Sequence, residues 1–270
     1  MFIILGTALT IYPWISNRLY EKSAESQIES YQKKSKDLTM NQYQKLYQEA
    51  QKYNEEITRS KVKLTDPFES NNHEIFDYKK MLSLDRSGIM GYVEIPCISV
   101  ELPIYHGTSS SVLEKGAGHL VGSSLPIGGK GTHSVITGHT GLSSAKMFTD
   151  LTEMKKGDLF YIHVLDRTLA YKVDSISVVL PEETDQLAID NGQDYVTLVT
   201  CTPYGVNDHR LFVRGKRTKC IKQEHDHIEK RRDSQWIKTY QKALFIGLCA
   251  VVVLFLLILL KRKLPGRRLS

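Results

Sequence analysis

Hydrophobic and polar positions follow different rules in different parts of this 270-residue chain. Residues 21 to about 60 are rich in Glu, Lys and Gln and hold no Gly or Pro, so they read as helix. Thr39 followed by Gln42 has the form of a capping box and predicts that a second helix begins there. In that helix Tyr43, Leu46, Tyr47, Ala50, Tyr53 and Ile57 recur at spacings of three and four. Such a semi-apolar stripe must rest against something, and we read it as packed on the main domain in preference to a helical partner from another protein. From Gly91 the texture changes to short strands, at 91–96, 101–106, 132–138, 158–165, 168–179 with a bend inside it, 194–200 and 209–215. Asp166 and Arg167 mark a hairpin, and one short segment with Met147, Phe148, Leu151 and Met154 looks helical. Seven or eight short strands with little helix predict a mainly β domain. A closed barrel, which removes exposed strand edges, is the favoured architecture, and an open sandwich is the alternative.

The two ends of the chain follow another pattern. Residues 243–260 run for 18 positions without a charge, a helix of roughly 27 Å, which predicts a transmembrane span. Residues 1–17 are also uncharged but are interrupted by Thr7, Thr10, Pro13 and Trp14, and read as an uncleaved anchor or a signal-like segment. The tail 261–270 carries Lys261, Arg262, Lys263, Arg267 and Arg268 and no acid, which the positive-inside rule places in the cytoplasm. The expectation is therefore a multi-pass protein of the cell membrane with two spans, in contact with the lipid bilayer, and with its main domain outside. The division expected is 18–60 helical region, 61–80 polar loop, 81–217 β domain and 218–242 basic linker.

The net charge of +6 is accounted for by the basic flanks of the hydrophobic ends, and no aromatic-basic repeat points to nucleic acid. Four cysteines at 97, 201, 220 and 249 are too few and too scattered for a disulfide framework. His106, His119, His133, His139, His209 and Cys201 are metal-ligand types, but no close paired spacing is present, so neither a metal nor a cofactor is expected.

Two strand ends carry the candidate chemistry. Val135, Ile136 and Thr137 lead into Gly138, His139, Thr140 and Gly141, and Val196 to Thr200 lead into Cys201, Thr202 and Pro203. In each case an apolar strand delivers one reactive side chain where the chain turns. Arg210 opens the next strand, with His209 beside it. A thiol nucleophile needs a fraction of thiolate, a proton carrier and a group that holds charge on a carbonyl oxygen, and Cys201, His139 and Arg210 can supply these. Thr200 and Gly138 take supporting roles at the two strand ends, whereas His133 and His209 are expected to be structural or peripheral.

These segments resemble the sortase family, cysteine transpeptidases on the surface of Gram-positive bacteria. The hallmark is a Thr-Leu-x-Thr-Cys strand end, here Thr197, Leu198, Val199, Thr200 and Cys201, and the family's histidine and arginine correspond to His139 in its Thr-Gly-His-Thr setting and to Arg210. The resemblance covers most of residues 40–217 and implies an eight-stranded β-barrel with the active site at one end. Within the family the likeness is to class C, the pilus-building sortases. It rests on the hydrophobic stretch after the β domain, on Cys201-Thr202-Pro203-Tyr204-Gly205 followed by His209 and Arg210, and on an Asp-Pro-aromatic segment. In class C such a segment is a lid, so Asp66 would face the arginine and Phe68 would lie near the cysteine, Phe standing where many members have Trp. The resemblance implies cleavage of a Leu-Pro-x-Thr-Gly-like motif between Thr and Gly through a thioacyl intermediate, followed by transfer to a lysine amine of the next pilin. The implied partners are pilin subunits carrying that motif and an acceptor lysine. The alternatives are a housekeeping sortase that uses cell-wall precursor and a non-catalytic assembly scaffold.

Overall fold

The computed structural model describes residues 2–60, 62–69, 78–142, 145–219, 242, 245–247, 249 and 250. Two helices lead the chain, α1 (Phe2–Lys36) and α2 (Met40–Ser60). The break between them is the expected capping box: the Thr39 N–H donates to Gln42 Oε1 at 2.9 Å, and the Gln42 N–H to Thr39 Oγ1 at 3.4 Å. Eight strands follow: β1 (Ile89–Ile95), β2 (Val100–His106), β3 (Ala117–His119), β4 (Thr132–Thr137), β5 (Leu159–Val164), β6 (Arg167–Val179), β7 (Asp194–Thr202) and β8 (His209–Thr218). They close into a barrel in the order β1-β2-β3-β4-β7-β8-β6-β5, with β2–β3 and β4–β7 parallel and the other pairs antiparallel. The open sandwich is thereby excluded. β3 has no counterpart among the expected strands, yet it bridges β2 and β4. The bend expected inside 168–179 is a register shift between Val173 and Ser175. The segment after His139 forms a 3-10 turn, Thr149–Glu153.

Strands β4 and β7 show why the site strands read as nearly continuous apolar runs. Every residue of β4 is buried. Ile136 and Leu198 point into the main core, while Val135 and Val199 join a second cluster with Leu64, Leu120, Val179, Leu187 and Phe212. A parallel pair covered on both faces needs apolar residues on both. The α2 stripe packs on the barrel: Ala50, Tyr53 and Ile57 belong to the main core, and Tyr43, Leu46 and Tyr47 lie against it. Asn54 fixes the register of that contact, its side-chain amide exchanging hydrogen bonds with the backbone of Leu125 at 3.1 and 2.6 Å. Helix α1 docks through Ala24, Ile28 and Tyr31, whose hydroxyl donates to the Met90 carbonyl and accepts from the Leu165 N–H.

The membrane expectation is corrected. No helix among the described residues is long and apolar enough to cross a membrane, so the transmembrane helix and the multi-pass, two-span topology with an outward-facing domain are not carried forward. At the N-terminal end the helix is long enough, so what fails is apolarity: Thr7, Thr10, Pro13 and Asn17 interrupt the uncharged run, and Asn17 is buried against a barrel loop with its carboxamide accepting from the Lys146 N–H. Of the run 243–260, only 245–247, 249 and 250 are described, and the remainder lies outside the described residues, as does Cys220.

Candidate active site

Strand register brings the two reactive strand ends together. Thr137 pairs with Val199 across the parallel β4–β7 ladder, so two further residues carry the chain to His139 on one side and Cys201 on the other. The junction is fixed by two bonds: the Gly138 N–H donates to the Val199 carbonyl at 3.0 Å, and the buried Thr200 hydroxyl donates to the Gly138 carbonyl at 2.8 Å. Gly138 is required by space, because a Cβ there would lie 2.7 Å from the Phe148 ring. Gly141 has a φ of +75°, in the left-handed region that favours glycine. On the other side of β7, Cys201 is the direct cross-strand partner of Arg210. Cys201, which is half-buried, therefore stands between the histidine loop and the arginine.

The segment expected to be a lid approaches this centre from 144 residues away. Arg210 donates from Nε to Asp66 Oδ1 at 2.9 Å and from Nη2 to Asp66 Oδ2 at 2.6 Å, a bidentate pair buried at both ends. Its Nη1 donates to the Asn207 and His209 carbonyls, both at 3.1 Å. Asp66 also shapes its own segment: its carbonyl accepts from the Glu69 N–H and its carboxylate from the Phe68 N–H, a tight turn with Pro67 at the second position. That turn aims the Phe68 ring at the site. The ring lies 5.8 Å from the His139 ring, centre to centre, and the Arg210 guanidinium sits 5.0 Å above it. The near end of the segment is held by Leu64, whose side chain joins the second apolar cluster and whose carbonyl accepts from Thr184 Oγ1 at 2.7 Å. Thr184 had no sequence signal, since its partner is 120 residues distant and a threonine before a turn is commonplace.

Residues 93–218 match the family profile described as a sortase domain. The crystal structure of sortase C-1 from Streptococcus pneumoniae superposes with a TM-score of 0.68 at 46% identity, covering 73% of this chain and 100% of that one. The chain belongs to the sortase family. A sortase C-1 structure from Actinomyces oris gives a TM-score of 0.61 at 49% identity, covering 65% of this chain and 98% of that one. Sortase A of Bacillus anthracis is 31% identical over 133 residues, which are 49% of this chain and 61% of that protein, so the chain spans less than two thirds of this curated relative.

Electrostatics in this sortase barrel favour the uncharged forms of Cys201 and His139. Burial pushes the Cys201 thiol up, Asp66 adds to the rise, and Arg210 opposes it. Burial pushes His139 down, against a weaker pull upward from Glu114. Both shifts disfavour the charged form of the group concerned. His133 is a packed core group, with Nδ1 facing the Ala188 carbonyl at 2.9 Å and Nε2 facing Thr197 Oγ1 at 2.7 Å. His209 is partly exposed and lies 2.8 Å from Asp208. Among the described residues no three His, Cys, Asp or Glu side chains converge as a metal site.

Proposed function

We propose that the chain is a cysteine transpeptidase that cleaves a Leu-Pro-x-Thr-Gly-like sorting motif between Thr and Gly and joins the acyl fragment to a lysine amine of a pilin subunit. The observation that carries this reading is the cross-strand pairing of Cys201 with Arg210 beside the strand end that presents His139. His139 takes the thiol proton as Cys201 attacks the threonine carbonyl, and Arg210 donates hydrogen bonds to the oxygen on which charge develops. Collapse breaks the Thr–Gly bond, His139 returns the proton to the departing glycine amine, and a thioester remains on Cys201. The lysine amine then attacks that thioester and gives its proton to His139, and the thiolate departs. Thr200 and Gly138 position the histidine strand end through their mutual hydrogen bond.

In this reading Asp66 and Phe68 form a lid. The donors that Arg210 would offer to substrate are committed to Asp66 and to two backbone carbonyls, so the segment must leave before substrate is held. Pilin as the substrate class is supported by the likeness to a Streptococcus pneumoniae sortase C whose structure is described in terms of pilin substrate specificity. The similarity to proteins named sortase A favours attachment to cell-wall precursor as the second reading. Incubation of the full chain with a pilin bearing the motif separates them: a ladder of covalent oligomers is expected. Transfer confined to an oligoglycine or peptidoglycan stem-peptide amine would favour the second.

A further inference from the structure

The histidine loop is braced from outside the barrel. After His139 the chain folds back so that the Phe148 N–H donates to the His139 carbonyl at 3.1 Å and the Gly141 N–H to Thr149 Oγ1 at 3.1 Å. Between these contacts Met147 is buried and holds a φ of +41°, a left-handed conformation that disfavours any residue other than glycine and persists only where the surroundings enforce it. The preceding residue, Lys146, is held through both its backbone and its side chain. Lys146 is 7% exposed; its Nζ lies 3.0 Å from Asp150 Oδ2 and donates to the Ile98 carbonyl, in the 3-10 turn Pro96–Ile98 between β1 and β2. Its backbone N–H donates at 2.7 Å to Oδ1 of Asn17 on α1, 129 residues away. Asn17 is 7% exposed on a stretch of helix where Tyr12, Trp14, Ile15 and Leu19 are all open to solvent, and its Nδ2 donates to Glu21 Oε1 at 2.9 Å.

We propose that Asn17 and Lys146 are positioning residues for His139: α1 and the β1–β2 turn together clamp Lys146, which holds Met147 in its strained conformation and so sets where Phe148 grips the His139 carbonyl. The inference rests on the reading of His139 as the proton carrier. It gives α1 a role in catalysis in addition to its apolar docking, because Asn17, a buried polar group on that part of the helix, is spent on the loop that bears the histidine. A proton carrier displaced by a fraction of an ångström loses turnover while substrate affinity is retained.

The test is Asn17→Leu in the full chain, read in two ways. On a Leu-Pro-x-Thr-Gly peptide with an amine acceptor, kcat is expected to fall about ten-fold or more with KM within about two-fold. By NMR, the His139 imidazole is expected to titrate at higher pH than in the unaltered chain, as the loop loosens and burial is lost. The double variant N17D/E21Q, which keeps an acceptor for the Lys146 N–H and a donor beside it, is expected to restore both. Should N17L fail to fold, N17S, too short to reach Lys146, is read in the same way. Unchanged kcat or an unchanged His139 titration overturns the proposal. If the unaltered chain transfers nothing, the transpeptidase reading fails by itself, and the titration still judges the brace.

Discussion

Replacing Asp66 with Ala should expose Cys201. The carboxylate and guanidinium side chains are 4% and 10% exposed, and they share two hydrogen bonds of 2.9 and 2.6 Å. Removing one member of a buried pair of this kind costs about 3–5 kcal/mol, because the other charge is left without its partner. Here the stranded Arg210 can recover hydration if the segment swings away, so the change is directed into lid opening and not into unfolding of the barrel. Taking about 3 kcal/mol at about 1.4 kcal/mol per decade, the open population rises about a hundred-fold, until opening no longer limits access. The thiol changes in the same direction: Asp66 and burial both push it up, and both are relieved, while Arg210 remains to favour thiolate. The assay is the rate of Cys201 alkylation by iodoacetamide at neutral pH, followed by intact mass, with Asp66→Asn as a variant that keeps part of the hydrogen bonding. D66A should react about a hundred times faster than the unaltered chain and D66N at an intermediate rate. Equal rates in all three would refute the claim that the Asp66–Arg210 pair gates the thiol.

Two further outcomes are expected, one at the same pair and one in the core. Arg210→Lys keeps the charge but loses the planar fork that reaches both Asp66 oxygens, so alkylation should accelerate while motif cleavage falls by about 10²-fold or more; cleavage at the original rate would remove Arg210 from the reaction. His119 and His133 are buried and both pushed down to about 4 by that burial, so they stabilise the fold fully above their ordinary value of 6.5 and lose that contribution as pH falls towards 4. Each is worth up to about 3 kcal/mol by this reasoning, and urea unfolding free energies that stay flat from pH 7 to pH 4 would contradict it.

The parts of the molecule that were legible in sequence are those governed by local pattern. The capping box at Thr39, the α2 stripe and the apolar strand ends before His139 and Cys201 each follow from a few neighbouring residues and the period they must satisfy. β3 was not legible, because Ala117, Gly118 and His119 make too short a run to show alternation and are strand only by lying between β2 and β4. The Asp66–Arg210 pair and the Asn17–Lys146 bond join residues 144 and 129 apart. No spacing rule reaches across such distances: the first was expected only through family resemblance, and the second was not expected at all. The membrane reading went astray at the N-terminal end because it counted uncharged residues, whereas Thr7, Thr10, Pro13 and Asn17 are uncharged without being apolar and leave that helix too polar to cross a membrane.

The central claim is that Cys201 is the nucleophile, and it is tested most directly by trapping its acyl intermediate. The full chain, mixed with a Leu-Pro-x-Thr-Gly protein in the absence of an amine acceptor and quenched in acid, should gain the mass of the fragment ending at threonine. Peptide mapping should place that fragment on Cys201, hydroxylamine should release it, and Cys201→Ala should gain nothing. Transfer that persists in C201A, or an acyl group mapped to any other residue, would contradict the account.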